Sequence, residues 1–338
     1  GVTGNPVIGP VSCPNGGDGQ KVGVMPDAGP AYLFNPDGSS CYGDSGGKDN
    51  PLQTDFAVAA GKYDTPSFPA VGNPAFGDLG PAGNPSFVAP VAGILRALDV
   101  AVNEYQGGQD FTGAWDTSSG AFRPGFPASV NDLQFLTGPA VADIDGNPGE
   151  EVLEGSASLD FNAFNAAGTP ADGGKWPKLS TDWTVATPLV GSFGGDKKTI
   201  VNVTRSGYVF AYRSDAPACS PSSWPRFHHD NANSGWYGRD AVAPGKATGL
   251  GVSGGKLSFV APGDDLLCGT ADHYEVVTSD HQITASNFSS ADKVSGAPKP
   301  SAAGNEETMT LPSSVKRYVA VRAVDDQGNV GRIAVVRR

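Results

Sequence analysis

In the stretch DIDGNPGEE, residues 143–151, Asp143, Asp145 and Asn147 stand at alternate positions, Gly146 permits a tight turn, and Glu151 follows at the ninth position. Alternating oxygen side chains around a glycine turn put several hard ligands on one concave side, which suits Ca²⁺. The same residues also suit a plain polar turn in which Asp and Asn cap their own backbone. Spacing alone leaves both readings open, and one structural calcium ion is the expectation carried forward.

Three other groups invite a chemical reading. CYGDSGGKDN, residues 41–50, resembles the nucleophile loop of chymotrypsin-like proteases, where a serine between glycines lies beside oxyanion-cradling N–H groups. A serine needs a base, and the only histidines, His228, His229, His273 and His281, are all far downstream. Gly, Ser, Asp and Asn crowd around Ser45, as in a turn-rich loop, so GDSGG reads as a decoy and no catalytic residue is assigned. His228-His229-Asp230 reads as a loop too, because neighbouring side chains on a strand point to opposite faces and cannot share a metal. Sequons stand at Asn202 and Asn287, but the bacterial look of the sequence argues against their use.

The elements that position such residues follow from composition. Gly 47 and Pro 28 make up about a fifth of 338 residues, favouring short strands joined by turns over long helices. The net charge of −12 and the lack of a basic cluster argue against a nucleic-acid partner. No run of apolar residues is long enough to span a membrane. The first ten residues lack the marks of a signal peptide, so residue 1 is expected to be a mature terminus or a cut point within a larger precursor. Cys13, Cys41, Cys219 and Cys268 form no C-x-x-C pair and suit disulfides in an oxidising compartment, with Cys13–Cys41 the first pairing to expect. Cys268 reaches Cys219 only if two domains pack closely.

A repeat runs along residues 1–240. PAFGDLG (74–80), PAVADID (139–145) and PLVGSFG (188–194) align, and each is followed by an apolar run. DFTGAWDTSSG (110–120), DFNAFNAAGTP (160–170) and GYVFAYRSDAP (207–217) come next. Each unit closes on an aromatic-proline pair, Phe126-Pro127, Trp176-Pro177 and Trp224-Pro225, spaced 50 and 48 residues apart. Four short strands per period of this size signal a β-propeller blade. Residues 99–109 read as an insertion, and AYLFNPDGSS (31–40) as the third strand of a preceding, partial blade.

This pattern is similar to the FG-GAP/VCBS family of extracellular propellers, over residues of about 31–240, with the middle unit the most specific. The resemblance implies that the Gly149 carbonyl is a further calcium ligand beside Asp143, Asp145, Asn147 and Glu151. The neighbouring copies depart from the motif: 77–86 keeps Asp78 but has Gly80 and Ala82 where oxygens are needed, and 191–199 has lost most of them. WPRFHHDNANSGWYG (224–238) looks like a terminal blade segment of bacterial secreted proteins of this kind.

After a Pro/Gly/Ala-rich joint at 240–250 the pattern changes. Residues 241–338 hold strand-like runs such as RYVAVRAVD, alternating apolar and polar, and together indicate a β-sandwich. APGDDLLCGTADHYEVVTS and YVAVRAVDDQGNVG resemble a fibronectin type III domain. Asp264, Asp265 and Asp272 read as acidic turns of that sandwich. The expected architecture is all-β: propeller blades, three clear and one partial, followed by an immunoglobulin-like sandwich.

An incomplete propeller leaves raw sheet edges. The expected partner is therefore an N-terminal fragment of the same precursor, or identical chains, completing the ring. The expected function is a non-catalytic secreted or cell-surface binding or scaffold protein, a calcium-stabilised propeller plus a spacer sandwich, with an extracellular protein or glycan as ligand. The alternative is the C-terminal accessory portion of a secreted hydrolase, of proteins or polysaccharides, whose catalytic part lies on a missing N-terminal segment. A third reading, an active site in the propeller channel, has no Asp, Glu or His grouping that spacing can identify.

Overall fold

Period-two apolar segments cut by glycine and proline have one outlet, antiparallel strands joined by short turns, and the computed structural model is built of them. It describes residues 4–26, 29–43, 51–52, 66–69, 72–80, 84–93, 95, 98–99, 102–104, 109–134 and 136–338. Ser45 and most of the 99–109 insertion lie outside the described residues. The chain divides into two compact units, Gly1–Arg239 and Asp240–Arg338.

Among the described residues the first unit contains four antiparallel sheets. The irregular N-terminal stretch forms a complete meander, β1 (Val7–Pro10), β2 (Gln20–Val24) and β3 (Tyr32–Phe34), in the order β1-β2-β3. The second sheet joins β4 (Pro66–Pro69), β5 (Ala75–Gly77), β6 (Ser86–Gly93), β7 (Asp110–Trp115) and β8 (Ala128–Val130). The third is β9 (Ala140–Ala142), β10 (Glu151–Gly155), β11 (Asp160–Phe164) and β12 (Lys178–Leu179), each paired with the next. The fourth is β13 (Leu189–Gly191), β14 (Lys197–Val203) and β15 (Val209–Pro217). Phe126-Pro127 and Trp176-Pro177 are both cis and lead into the outermost strands β8 and β12.

Strands β1, β5 and β9, one from each of three successive sheets, lie side by side. A Cβ on Gly9 of β1 would meet the Phe76 ring of β5 at 2.6 Å, and one on Gly77 of β5 would meet Val141 of β9 at 2.6 Å. Only glycine permits that approach. The sheets bury both faces: along β10, Val152 joins a core with Phe76, Phe87 and Trp115, while Leu153 joins another with Trp176 and Ile200.

Trp224-Pro225 departs from the sequence pattern. It leads into no outer strand. The Trp224 N–H donates to the Val141 carbonyl (3.0 Å), the Val141 N–H donates to the Trp224 carbonyl (2.8 Å), the Val190 N–H donates to the Pro225 carbonyl (2.8 Å), and the Ile8 N–H donates to the Gly235 carbonyl (2.7 Å). Residues 221–237 thus run across the inner strands β9, β13 and β1. Trp224 is 1 % exposed, so its apolar surface anchors the crossing instead of an outer edge.

The second unit is a β-sandwich. One sheet orders β16 (Thr248–Ser253), β17 (Lys256–Val260) and β20 (Glu306–Thr310). The other orders β19 (Asp292–Lys293), β18 (His273–Ser279), β21 (Tyr318–Val324) and β22 (Ala334–Arg337). Leu257, Phe259 and Met309 of the first share a core with Tyr274, Val276, Val319 and Val321 of the second.

Candidate metal centre

The loop between β9 and β10 is set by local chemistry. Gly146 (φ 81°) and Gly149 (φ 113°) occupy left-handed backbone that other residues reach only with strain. Asp143 Oδ1 accepts the Asp145 N–H (3.2 Å) and the Gly146 N–H (2.7 Å), and Asp145 Oδ1 accepts the Asn147 N–H (2.8 Å). Glu151, the first residue of β10, accepts the Ile144 N–H at Oε2 (2.9 Å). The fourth sheet roofs the loop, with Asp215 and Ala216 donating their N–H groups to the Ile144 carbonyl at 3.1 and 3.3 Å.

One carboxylate oxygen each from Asp143, Asp145 and Glu151 lies within 4.8 Å of the others. Oxygens sharing a calcium ion at 2.3–2.6 Å stand at most about 5 Å apart, so the three fit one coordination sphere. Asp143 and Glu151 are each 4 % exposed. Asn147 and Gly149, also expected as ligands, lie exposed on the same loop, with Gly149 in open space.

Charge is concentrated here. Burial is the main force that raises Glu151 to about 8, with Asp145, Asp143 and Glu150 adding repulsion and the Ile144 N–H opposing. Glu150, 2 % exposed, is raised by burial to about 7. Its carboxylate accepts the Ser223 N–H (2.7 Å), the Ser223 hydroxyl and the Asp78 N–H (3.2 Å), tying the second and third sheets to the 221–237 crossing. Lys198, 2 % exposed, donates to the carbonyls of Asp143 (3.3 Å) and Pro221 and to Ser222 Oγ (2.6 Å), and burial lowers it to about 8. The charges of Asp143, Glu150 and Glu151 act on that ammonium in the opposite sense.

Sequence reasoning missed Glu150, Lys198 and Ser223, since their partners lie in other sheets. His228 and His229, expected in a loop, take left-handed backbone (φ 51° and 72°) in a turn. The His228 ring stacks on Phe227 with centroids 4.0 Å apart, and the His229 ring meets Trp224 edge-on at 5.1 Å. Asn202 is fully buried, its amide donating to Thr184 Oγ1 (3.1 Å), which closes that sequon to glycosylation in the folded chain.

Cys13 and Cys41 are joined by a disulfide, with Cα atoms 5.5 Å apart. Among the described residues no helix is long and apolar enough to cross a membrane.

No family model and no curated protein matches the chain. Among solved structures it is similar to BBS1N in complex with ARL6DN soaked with mercury, at 9 % identity over 94 % of this chain and 76 % of that one, with a TM-score of 0.28. The same complex soaked with lead aligns at 9 % identity over 92 % and 86 %, with a TM-score of 0.30. Neither likeness is close enough to carry an argument about function.

Proposed function

We propose that the chain is a non-catalytic, secreted or cell-surface binding or scaffold protein, in which blades of FG-GAP/VCBS type are stabilised by one calcium ion and joined to a fibronectin type III-like spacer. The convergence of Asp143, Asp145 and Glu151 oxygens within 4.8 Å carries the reading. The ion ties two strands of one blade, and the loop's roof brings in the next blade. Oxidised cysteines suit an extracellular setting.

All five tryptophans, Trp115, Trp176, Trp183, Trp224 and Trp236, lie in the first unit, so their fluorescence reports its unfolding alone. An ion bound only by the folded state, supplied at 100 times its dissociation constant, adds about 2.7 kcal/mol. Chelation is expected to lower the urea midpoint of the wild-type chain by that order, and restored calcium to recover it. Asp145→Asn should abolish the difference. A midpoint indifferent to calcium in the wild type would refute the reading.

A further inference from the structure

The sandwich unit holds a second group of converging carboxylates, from residues remote in sequence. Asp240 opens the unit, and Asp325 and Asp326 follow β21. One oxygen from each lies within 4.8 Å of the others. The turn after β21 fixes this arrangement. Asp325 Oδ1 accepts the N–H groups of Gln327 (3.0 Å) and Asn329 (2.7 Å). The Asn329 amide donates to the Asp240 carbonyl (3.1 Å), and the Asp240 N–H donates to Gln327 Oε1 (3.1 Å).

A buried, unpartnered oxygen shows that this group is unfinished. Asp325 is 2 % exposed, yet its Oδ2 has no hydrogen-bond partner. Leaving a buried carboxylate oxygen unpaired costs on the order of several kcal/mol, and native structures rarely tolerate it. Asp265, from the loop after β17, adds a further negative charge that Asp240 and Asp264 oppose. Among the described residues no Lys, Arg or His forms an ion pair with Asp240, Asp264, Asp265, Asp325 or Asp326.

We infer that Asp240, Asp325 and Asp326 form a calcium site in the sandwich unit, distinct from the propeller loop, with Asp265 as a flanking carboxylate. Hard, anionic oxygens at this spacing suit an ion with bonds of about 2.4 Å, and the exposed side at Asp326 leaves room for water to complete six to eight ligands. Asp325 Oδ2 gains the partner it lacks. The ion joins the start of the unit to the β21–β22 turn, stiffening its N-terminal end.

The test is calcium titration calorimetry on the chelator-stripped full chain. Four forms are compared: wild type, Asp145→Asn/Glu151→Gln, Asp240→Asn/Asp326→Asn, and the combination of all four. Asp325 is left intact because its Oδ1 holds the turn. Two ions are expected in the wild type, one in each double variant and none in the combination, with circular dichroism confirming folded chains. If Asp145→Asn/Glu151→Gln leaves the ion count unchanged while Asp240→Asn/Asp326→Asn lowers it by one, the sandwich site stands and the propeller reading falls. No calcium binding by Asp145→Asn/Glu151→Gln up to about 10 mM, beyond the weak range of extracellular modules, overturns the inference. So does a residual site that survives unchanged in the combination.

Discussion

Glu154 should make the first unit lose stability as pH rises through neutrality. It lies on the face of β10 turned to the second sheet, is 0 % exposed, and accepts the Thr112 hydroxyl at Oε2 (3.1 Å). Thr112 accepts in turn from the Gln134 amide (3.0 Å), while Glu154 Oε1 and Gln134 Oε1 have no partner. Two acceptors without a donor mark a site for a protonated acid. Burial, opposed by the Thr112 hydrogen bond, raises Glu154 from 4.5 to about 8. Because the folded value is the higher one, the neutral carboxyl's contribution is fully present below about pH 4.5 and is lost as pH rises toward 8. At about 1.4 kcal/mol per pH unit across that window, the loss between pH 5 and 7 is on the order of 2 kcal/mol. Glu154→Gln keeps the shape and cannot ionise. Glu150 and Glu151 titrate in both proteins, so the difference between wild type and variant isolates Glu154. Urea unfolding followed by tryptophan fluorescence at pH 5, 6, 7 and 8 should give a wild-type curve that falls relative to the variant. Parallel curves would refute the reasoning.

Two further outcomes follow from the fold. Replacing both Cys13 and Cys41 by alanine frees a cross-link spanning 28 residues and should destabilise the first unit by about 3–4 kcal/mol, read as a lower urea midpoint by fluorescence; a midpoint equal to wild type would contradict it. Trp224→Ala removes a fully buried ring from the 221–237 crossing and should cost about 3–5 kcal/mol. Amide exchange at Val141 and Val190, whose N–H groups bond that segment, should then accelerate, and unchanged protection would show that the crossing does not hold the inner strands.

The segments PAVADID, EEVLEGSASL and DFNAFNAAGTP become β9, β10 and β11 because apolar alternation and glycine turns act between neighbours in the chain. The 143–151 loop was legible for the same reason: Asp143, Asp145 and Gly146 organise one another within three residues. By itself, then, the sequence determined an all-β chain, its strand meanders and one candidate ligand loop. What it could not determine depends on partners that only packing brings together. Trp224-Pro225 looks locally like the two pairs before it, yet backbone donors on β9 and β13 redirect it across the inner strands. Glu150 and Lys198 meet through burial against Ser223 and Ser222, and Asp240 meets Asp325 across almost the whole second unit. The physical reason is range. Turn chemistry and strand periodicity are decided over a few residues, whereas desolvation and charge crowding exist only once distant segments share a buried volume.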